Sequence, residues 1–176
     1  MSLLSVDRIV NTLMVWLKAE EPTFNTIIDQ FYQGKQISYF SGIRKVIGES
    51  SLPSIEVGQV NDTPSWQYPR VQGDEFNLEV HLTVSNKLPD QAPILEARLA
   101  CLITRILFHP MHVRGRIEAS NDWLFDAAPT AVNYAADGYS FNIRVCKIPW
   151  VGKIIECIDD SQFPAELQEG GNHFPV

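Results

Sequence analysis

Cysteine is scarce in this sequence. The chain of 176 residues has three cysteines, Cys101, Cys146 and Cys157, which lie far apart and form no Cys-x-x-Cys motif. An odd number without the spacing of a metal site is not typical of a disulfide framework or of a zinc cage. We therefore expect three reduced thiols that pack as small apolar side chains.

Long apolar runs are also missing. No run approaches the roughly 18 apolar residues that a membrane-spanning helix needs. The first five residues contain no basic side chain, and Asp7 and Arg8 interrupt the apolar residues that follow. Because a secretory signal peptide has a basic start and an unbroken apolar stretch, this pattern argues against one. We expect a protein that is made and kept in a reducing cytoplasm and that contacts no membrane.

Positive charge is in deficit. The chain has 14 Lys and Arg residues against 21 Asp and Glu residues, a formal net charge of −7. Proteins that grip nucleic acid do so through clustered Lys and Arg side chains that neutralise phosphates and release counterions. The composition therefore argues against a protein that clamps DNA or RNA, although it allows one that lies close to DNA.

Recognisable catalytic motifs are missing as well. The sequence has no Gly-x-Ser-x-Gly elbow, no phosphate-binding Gly-x-x-x-x-Gly-Lys loop, no dinucleotide-binding Gly-x-Gly-x-x-Gly and no acidic calcium loop. Triads can assemble from distant residues, so this does not exclude catalysis. It leaves no specific reason to expect an enzyme, a cofactor or a metal.

The strongest positive signal is an unbroken alternation from Phe76 to Val84. The odd positions are polar, and the even positions are the apolar Phe76, Leu78, Val80, Leu82 and Val84. Side chains of a strand point alternately to its two faces, so this pattern predicts a strand with one dry face and one wet face. At roughly 3.3 Å per residue it spans close to 30 Å.

Apolar residues at helical spacing predict three amphipathic helices. The first covers residues 4–18, the second is capped by Thr23 and closed by Gly34, and the third follows the long strand with Pro93 in its first turn. Glu96, Arg98 and Arg105 of the third helix are expected to face water. Its apolar stripe should cover the dry face of the sheet and consists of Ile94, Leu95, Leu99, Leu102, Ile103, Ile106 and Leu107.

Shorter segments complete the pattern of secondary structure. Alternation at 54–60 predicts a partner for the long strand, 116–132 predicts one or two strands, and 139–148 predicts another, with Phe141, Ile143 and Val145 on one face. Residues 37–51 are expected to be irregular, and 61–74 form a loop longer than a hairpin needs. Pro110 is expected to end the third helix and to prevent a regular helix after it.

This order of elements predicts an α+β fold. We expect a mostly antiparallel sheet with amphipathic helices packed on one face, long loops and an extended C-terminal tail. A single α+β domain should cover residues 1–158. The tail, 159–176, has too little apolar content to pack by itself.

Two pairs of residues could carry chemistry. His109 and His112 are spaced so that a metal could be shared, but no nearby residue completes a ligand set. Glu79 and His81 lie two residues apart on the wet face of the long strand and could share a proton. The simpler expectation for the second pair is two solvated neighbours on an exposed sheet face.

Aromatic and basic residues in two segments are candidates for contacts with partners. The 61–74 loop carries Trp66, Tyr68 and Arg70, and a turn further along carries Arg114 and Arg116. Aromatic residues and arginine supply much of the binding energy of protein interfaces when they lose contact with water. We therefore expect a partner interface at these five residues, although the turn with Arg114 and Arg116 needs no function as ordinary surface.

Four segments together resemble the tail-terminator, or tail-completion, proteins of long-tailed bacteriophages. They are the strand at 52–57 (LPSIEV), the strand at 75–82 (EFNLEVHL), the helix around 97–100 (ARLA) and the closing strand at 138–143 (GYSFNI). The resemblance covers roughly residues 4–150 and is one of pattern and length. The family has no diagnostic catalytic or ligand motif, so no functional residue is carried over.

The resemblance implies a structural virion protein of the tail or neck, assembled in the host cytoplasm. Such a protein forms a homohexameric ring that caps the tail tube, stops its growth and offers a surface to the head connector, while DNA passes nearby without specific binding. A six-fold ring needs heterologous contacts, which long loops and tails can supply. The alternatives are another neck or head-completion subunit, or a small cytoplasmic ligand-binding or hydrolytic domain that uses Glu79 and His81.

Overall fold

The structure is a computed structural model of the chain and describes residues 6–43, 48–61, 73–113, 123–134 and 142–155. In chain order the helices are α1 (Val6–Ala19), α2 (Glu21–Asp29), α3 (Ala92–Leu107) and α4 (Pro110–Val113). The strands are β1 (Ser38–Ser41), β2 (Ser54–Asn61), β3 (Gly73–Ser85), β4 (Trp123–Pro129) and β5 (Ile143–Ile155), and one 3₁₀ turn covers Glu49–Ser51. None of the helices in these ranges is both long and apolar enough to cross a membrane.

The five strands form one mixed sheet in the order β1-β2-β3-β5-β4. β1 runs parallel to β2, and the other three pairings are antiparallel. The predicted α+β class with a mostly antiparallel sheet is therefore confirmed. The predicted irregularity of 37–51 is wrong at β1, because four residues are too few to show a strand period and their pairing with β2 depends on a distant segment.

The predicted dry face of β3 forms the centre of the core. Leu78, Val80, Leu82 and Val84 are buried, and Phe76 is partly buried against the same cluster. Residues Leu99, Ile103 and Ile106 of α3 belong to this cluster, and α1 and α2 add further apolar side chains. We call this side of the sheet the helix-covered face. Its pairing with α3 is the arrangement that the alternation predicted.

Two residues of α3 do not lie where its apolar stripe placed them. Glu96 is fully buried rather than facing water, and its carboxylate accepts hydrogen bonds from the Arg144 guanidinium of β5. Ile94, assigned to the stripe, is 50% exposed. The ion pair explains the first error, since a buried carboxylate is tolerated when a cation pairs with it, and sequence spacing does not show a partner 48 residues away.

The ends of the second and third helices also differ from prediction. Position 20, not Thr23, precedes the first turn of α2, and the Thr23 hydroxyl donates to the Glu20 carboxylate instead of capping the helix. α2 ends at Asp29, five residues before Gly34, whose positive φ of 74° belongs to the loop after the helix. Pro110 starts the short α4 rather than preventing it, because the first position of a helix needs no backbone N–H donor.

β5 is longer than predicted and presents a different face to the helices. It continues to Ile155, where the sequence predicted an end near Ile148, and it pairs with β3 along thirteen residue pairs. The buried helix-facing side chains are Cys146, Ile148 and Trp150, so Ile143 and Val145 lie on the opposite face. Both faces of β5 carry apolar residues, which hides the period that sets its orientation. The start of the predicted 139–148 strand, including Phe141, lies outside the described residues, and so does the C-terminal tail.

Candidate functional site

Three ionisable side chains lie side by side on the face of the sheet opposite the helices. Glu56 of β2 pairs with His81 of β3, and His81 pairs in turn with Lys147 of β5. Directly opposed residues on neighbouring strands have Cβ atoms about 5 Å apart. The sheet therefore sets a carboxylate, an imidazole and an ammonium group in one row, which we call the polar row.

Glu79 joins the polar row through His81. The two residues are separated by one position along β3 and so project from the same face. The His81 Nε2 atom lies 2.6 Å from the Glu79 Oε2 atom, and the Nε2–H group donates to the carboxylate. This hydrogen bond orients the imidazole ring. The sequence analysis considered such a hydrogen-bonded pair but expected two solvated neighbours instead.

The opposite face is less wet than the sequence predicted. His81 is 8% exposed and Glu56 is fully buried, so the expectation of two solvated neighbours is wrong for His81. One cause is visible at Gly58, where an added Cβ would lie 2.8 Å from the backbone nitrogen of Ile43. Ile43, two residues after β1, therefore lies over β2 on this face. An alternating pattern reports polarity but does not report whether another segment covers the polar side.

The next row along the strands contains two buried hydroxyl groups. Ser54 of β2 and Thr83 of β3 are directly opposed, and both are fully buried. Neither hydroxyl oxygen has a hydrogen-bond partner among the described residues. A buried hydroxyl without a partner costs about 1–3 kcal/mol. These two residues are signals that the sequence analysis missed, because Ser and Thr are ordinary residues for a wet strand face.

The polar row could exchange protons but is not arranged as a metal site. Within the described ranges no group of three or more His, Cys, Asp or Glu side chains could hold a metal ion. The hydrogen-bonded Glu79 and His81 could act as a base or an acid toward a bound group. Catalysis would also require access for a substrate to a histidine that is mostly buried.

His109 and His112, at the end of α3 and in α4, make ring contacts within the helical layer. The His112 ring stacks on Trp16 with ring centroids 4.2 Å apart, and its Nδ1–H donates to the Ile106 carbonyl at 2.7 Å. Burial lowers the pKa of His112 from its ordinary value, opposed by the hydrogen bond to Ile106 and assisted by nearby His109. The ring of His109 lies 5.4 Å away and is tilted. The hydrogen bond to the Ile106 carbonyl of α3 occupies one His112 nitrogen, which does not favour a shared metal.

An exposed strip runs along the outer side of α3. We call it the outer α3 face; it consists of Ile94, Ala97, Arg98, Cys101, Arg105 and Phe108. Ile94 and Phe108 are each 50% exposed. Glu96 is the only acidic residue of α3, and it is buried against Arg144. The outer α3 face of this acidic protein therefore combines apolar and positively charged side chains.

Tyr134 extends the outer α3 face sideways. It is 51% exposed. Its pKa is raised from the ordinary value by desolvation and then by the charges of Cys146, Cys101 and Glu96, residues of β5 and α3. Of the five large apolar side chains that are exposed in the described residues, four lie on or next to α3: Leu88, Ile94, Phe108 and Tyr134. Such clustering is more informative than single exposed apolar residues.

The partner interface predicted from the sequence lies outside the described residues. Trp66, Tyr68 and Arg70 fall in 62–72, and Arg114 and Arg116 fall in 114–122. The structure gives no geometry for these five positions. The sequence analysis did not single out the outer α3 face, because it counted Ile94 as part of the core stripe.

Comparison with known proteins adds no relative. A scan against protein-family models found no match to this chain, and a search of curated proteins found none either.

Proposed function

We propose that this protein is a structural virion subunit of a tail-terminator type, which forms a homohexameric ring, caps a bacteriophage tail tube and joins it to the head connector. The observation that carries the proposal is the β3–β5 pair, matched over thirteen residue pairs without a bulge and packed under α3. At about 3.3 Å per residue, this pair is a stiff element about 40 Å long. A long and stiff strand pair suits a subunit that connects a tail to a head.

The two edges of the sheet differ in strand length, strand direction and register. One edge is β1, a strand of four residues that runs parallel to its neighbour, and the other is β4, which is antiparallel to β5 and carries a register shift between Phe125 and Ala128. Cyclic rings are built from heterologous contacts, in which one surface meets a different surface of the next copy. A subunit with two unlike sides is suited to this kind of contact.

The charge of the chain is compatible with a pore for DNA. A formal net charge of −7 per copy gives −42 for a ring of six copies. DNA that passes through such a ring meets like charge, so transit is favoured over adsorption. Contacts between subunits or with neighbouring rings are proposed at Trp66, Tyr68, Arg70, Arg114 and Arg116.

Purified protein and isolated tail tubes test this proposal. We expect the protein to bind one end of each tube, visible by electron microscopy as a six-fold ring, and to co-sediment with the tubes. Trp66→Ala, or Arg114→Glu with Arg116→Glu, should leave the monomer folded and reduce this binding. Binding to head connectors without binding to tubes would instead favour the alternative of a neck or head-completion subunit. Binding to neither would contradict both.

A second function is supported by the Glu79–His81 hydrogen bond. A small ligand-binding or hydrolytic domain could use this partly buried pair and Lys147 to hold a polar group. This function predicts a turnover or a binding signal that His81→Gln abolishes without loss of the fold, whereas the structural function predicts ring formation unaffected by His81→Gln. A matched control is His109→Gln, which lies outside the polar row.

A further inference from the structure

We infer that the outer α3 face binds the acidic C-terminal segment, residues 156–176, of a neighbouring copy of this chain. The inference rests on the proposed ring, because it names one of the contacts between its subunits. The outer α3 face is exposed in the single chain, and it combines Arg98 and Arg105 with Ile94 and Phe108.

The first argument is the composition of the outer α3 face. Ile94 and Phe108 mark its two ends, about 21 Å apart at 1.5 Å per helical residue. Arg98 and Arg105 lie between them, and both are exposed. The Arg98 guanidinium is held in place by Gln30, whose Oε1 atom accepts from Nη1 at 2.8 Å, and by the Phe31 ring. The face thus offers an ordered cation and two apolar contacts, which fit an acidic segment with apolar residues.

The second argument is the composition of the C-terminal segment. Residues 156–176 contain five acidic residues and no Lys or Arg. Apolar residues are interspersed among them, at Ile158, Phe163, Leu167 and Phe174. The segment has too little apolar content to form a core of its own, so it gains most from a surface that supplies both apolar and cationic contacts. A chain of 21 residues can extend about 70 Å, which is ample for the outer α3 face.

The third argument favours a neighbouring copy over the same chain. Within the single chain, Ile94, Phe108 and Tyr134 all remain about half exposed. Contact with a second copy would cover them. If each segment binds the helix face of the next copy in one direction, the contact is heterologous, and it closes a ring where the rotation between copies permits closure.

Reciprocal charge reversal tests the inference in the full-length protein. A face variant carries Arg98→Glu and Arg105→Glu, and a tail variant carries Glu166→Lys and Glu169→Lys. Each variant alone places like charges against each other, which disfavours association. We expect at least about tenfold weaker association of each variant than of the wild type by sedimentation velocity. In an equal mixture, both kinds of contact regain opposite charges, and association should return to the wild-type level.

Controls separate this contact from a change in overall charge or fold. Lys18→Glu with Lys35→Glu makes the same change in net charge as the face variant at exposed positions outside the outer α3 face, and should associate like the wild type. Circular dichroism checks that each variant is folded. Because Arg98→Glu removes the contacts with Gln30 and Phe31, the pair Arg105→Glu and Glu166→Lys repeats the experiment without it.

The outcomes distinguish this inference from the proposed function. Reversed variants that associate as well as the wild type, a mixture that does not recover, or a wild type that is monomeric at all concentrations would overturn the inference. Six-fold rings of both variants on tail tubes would overturn it while leaving the proposed function intact. Recovery in the mixture without a ring at tube ends would support the inference and contradict the proposed function.

Discussion

The Glu96 carboxylate of α3 accepts two hydrogen bonds from the guanidinium of Arg144 on β5, from Nε at 2.9 Å and from Nη2 at 2.8 Å. The Glu96 side chain is 1% exposed and that of Arg144 is 24% exposed. This ion pair fixes the start of α3 over the start of β5. Because the Glu96 carboxylate is almost completely buried and pairs with a cation, the contact is a sensitive test of the fold.

Removal of the cation should destabilise the protein strongly. Arg144→Met removes the cation that pairs with the buried Glu96 carboxylate, with an expected loss of about 3 to 5 kcal/mol in the free energy of unfolding. The double variant with Glu96→Met should recover most of this loss, because it removes both charges. Urea denaturation measures both. Lys87→Met, which breaks the exposed pair with Glu49, is the control and should cost about 1 kcal/mol or less. Equal losses at both sites would contradict a buried pair.

The two faces of β3 should respond differently to substitution. Leu82→Ala removes a fully buried side chain from the helix-covered face and should cost about 2 to 5 kcal/mol in unfolding free energy. Thr83 is the next residue along β3 and faces the opposite side of the sheet. Thr83→Val keeps the shape of the side chain and removes a buried hydroxyl without a partner, so stability should be unchanged or slightly higher. Chemical denaturation provides the comparison. A large loss from Thr83→Val would mean that its hydroxyl is hydrogen-bonded.

Gly152 provides the space for the Trp150 indole ring. A Cβ atom at Gly152 would overlap that ring, with Cζ3 at 2.8 Å and Cζ2 at 2.9 Å. Gly152→Ala should therefore destabilise the fold by about 1 to 3 kcal/mol. In the control Gly48→Ala, the new Cβ would meet only Ser50 Oγ at 3.7 Å, and stability should be unchanged or slightly raised. Thermal unfolding compares the two. Equal effects would show that the indole ring lies elsewhere.

Two of the cysteines should differ sharply in reactivity. Cys146 is fully buried, and burial followed by the nearby Glu96 raises its pKa to about 12, whereas Cys101 is exposed. Because the thiolate is the reactive form, iodoacetamide at pH 8 should modify Cys101 well before Cys146. Peptide mass spectrometry measures the modification rates of both cysteines, and in the unfolded chain the two rates should be similar. Comparable rates in the folded protein would contradict the burial of Cys146.

The same pKa shift has a consequence for alkaline stability. The Cys146 thiol of the unfolded chain has its ordinary pKa of 9.0, while burial raises this pKa to about 12 in the folded protein. The contribution of Cys146 to stability is therefore complete below pH 9 and decreases as the pH rises from there.

The sequence predicted those parts of the fold that depend on local periodicity. Alternation around Leu82 gave the orientation of β3, and helical spacing gave α1 and α3. The errors arose where a residue's structure depends on a partner distant in sequence. Arg144 allows Glu96 to be buried, and pairing with β2 makes Tyr39 and its neighbours a strand. Burial of His81 depends on a covering segment, which alternation does not reveal.

The site was predicted only in part. The Glu79–His81 pair was recognised from its spacing, while the roles of Glu56 and Lys147 in the polar row depend on the register of three strands. Ile94 is exposed because of the way α3 is rotated about its own axis against the sheet. The ion pair between Glu96 and Arg144 helps to set this rotation. Trp66 and Arg114 remain predictions, because both lie outside the described residues.

The length distribution of tails assembled without this protein tests the central claim most directly. Particles produced in its absence, and particles complemented with the wild-type chain, are measured by negative-stain electron microscopy. A terminator subunit predicts tails of uncontrolled length that do not join heads in its absence, and a single sharp length with joined heads after complementation. Tails of normal length joined to heads in the absence of the protein would contradict the proposed function.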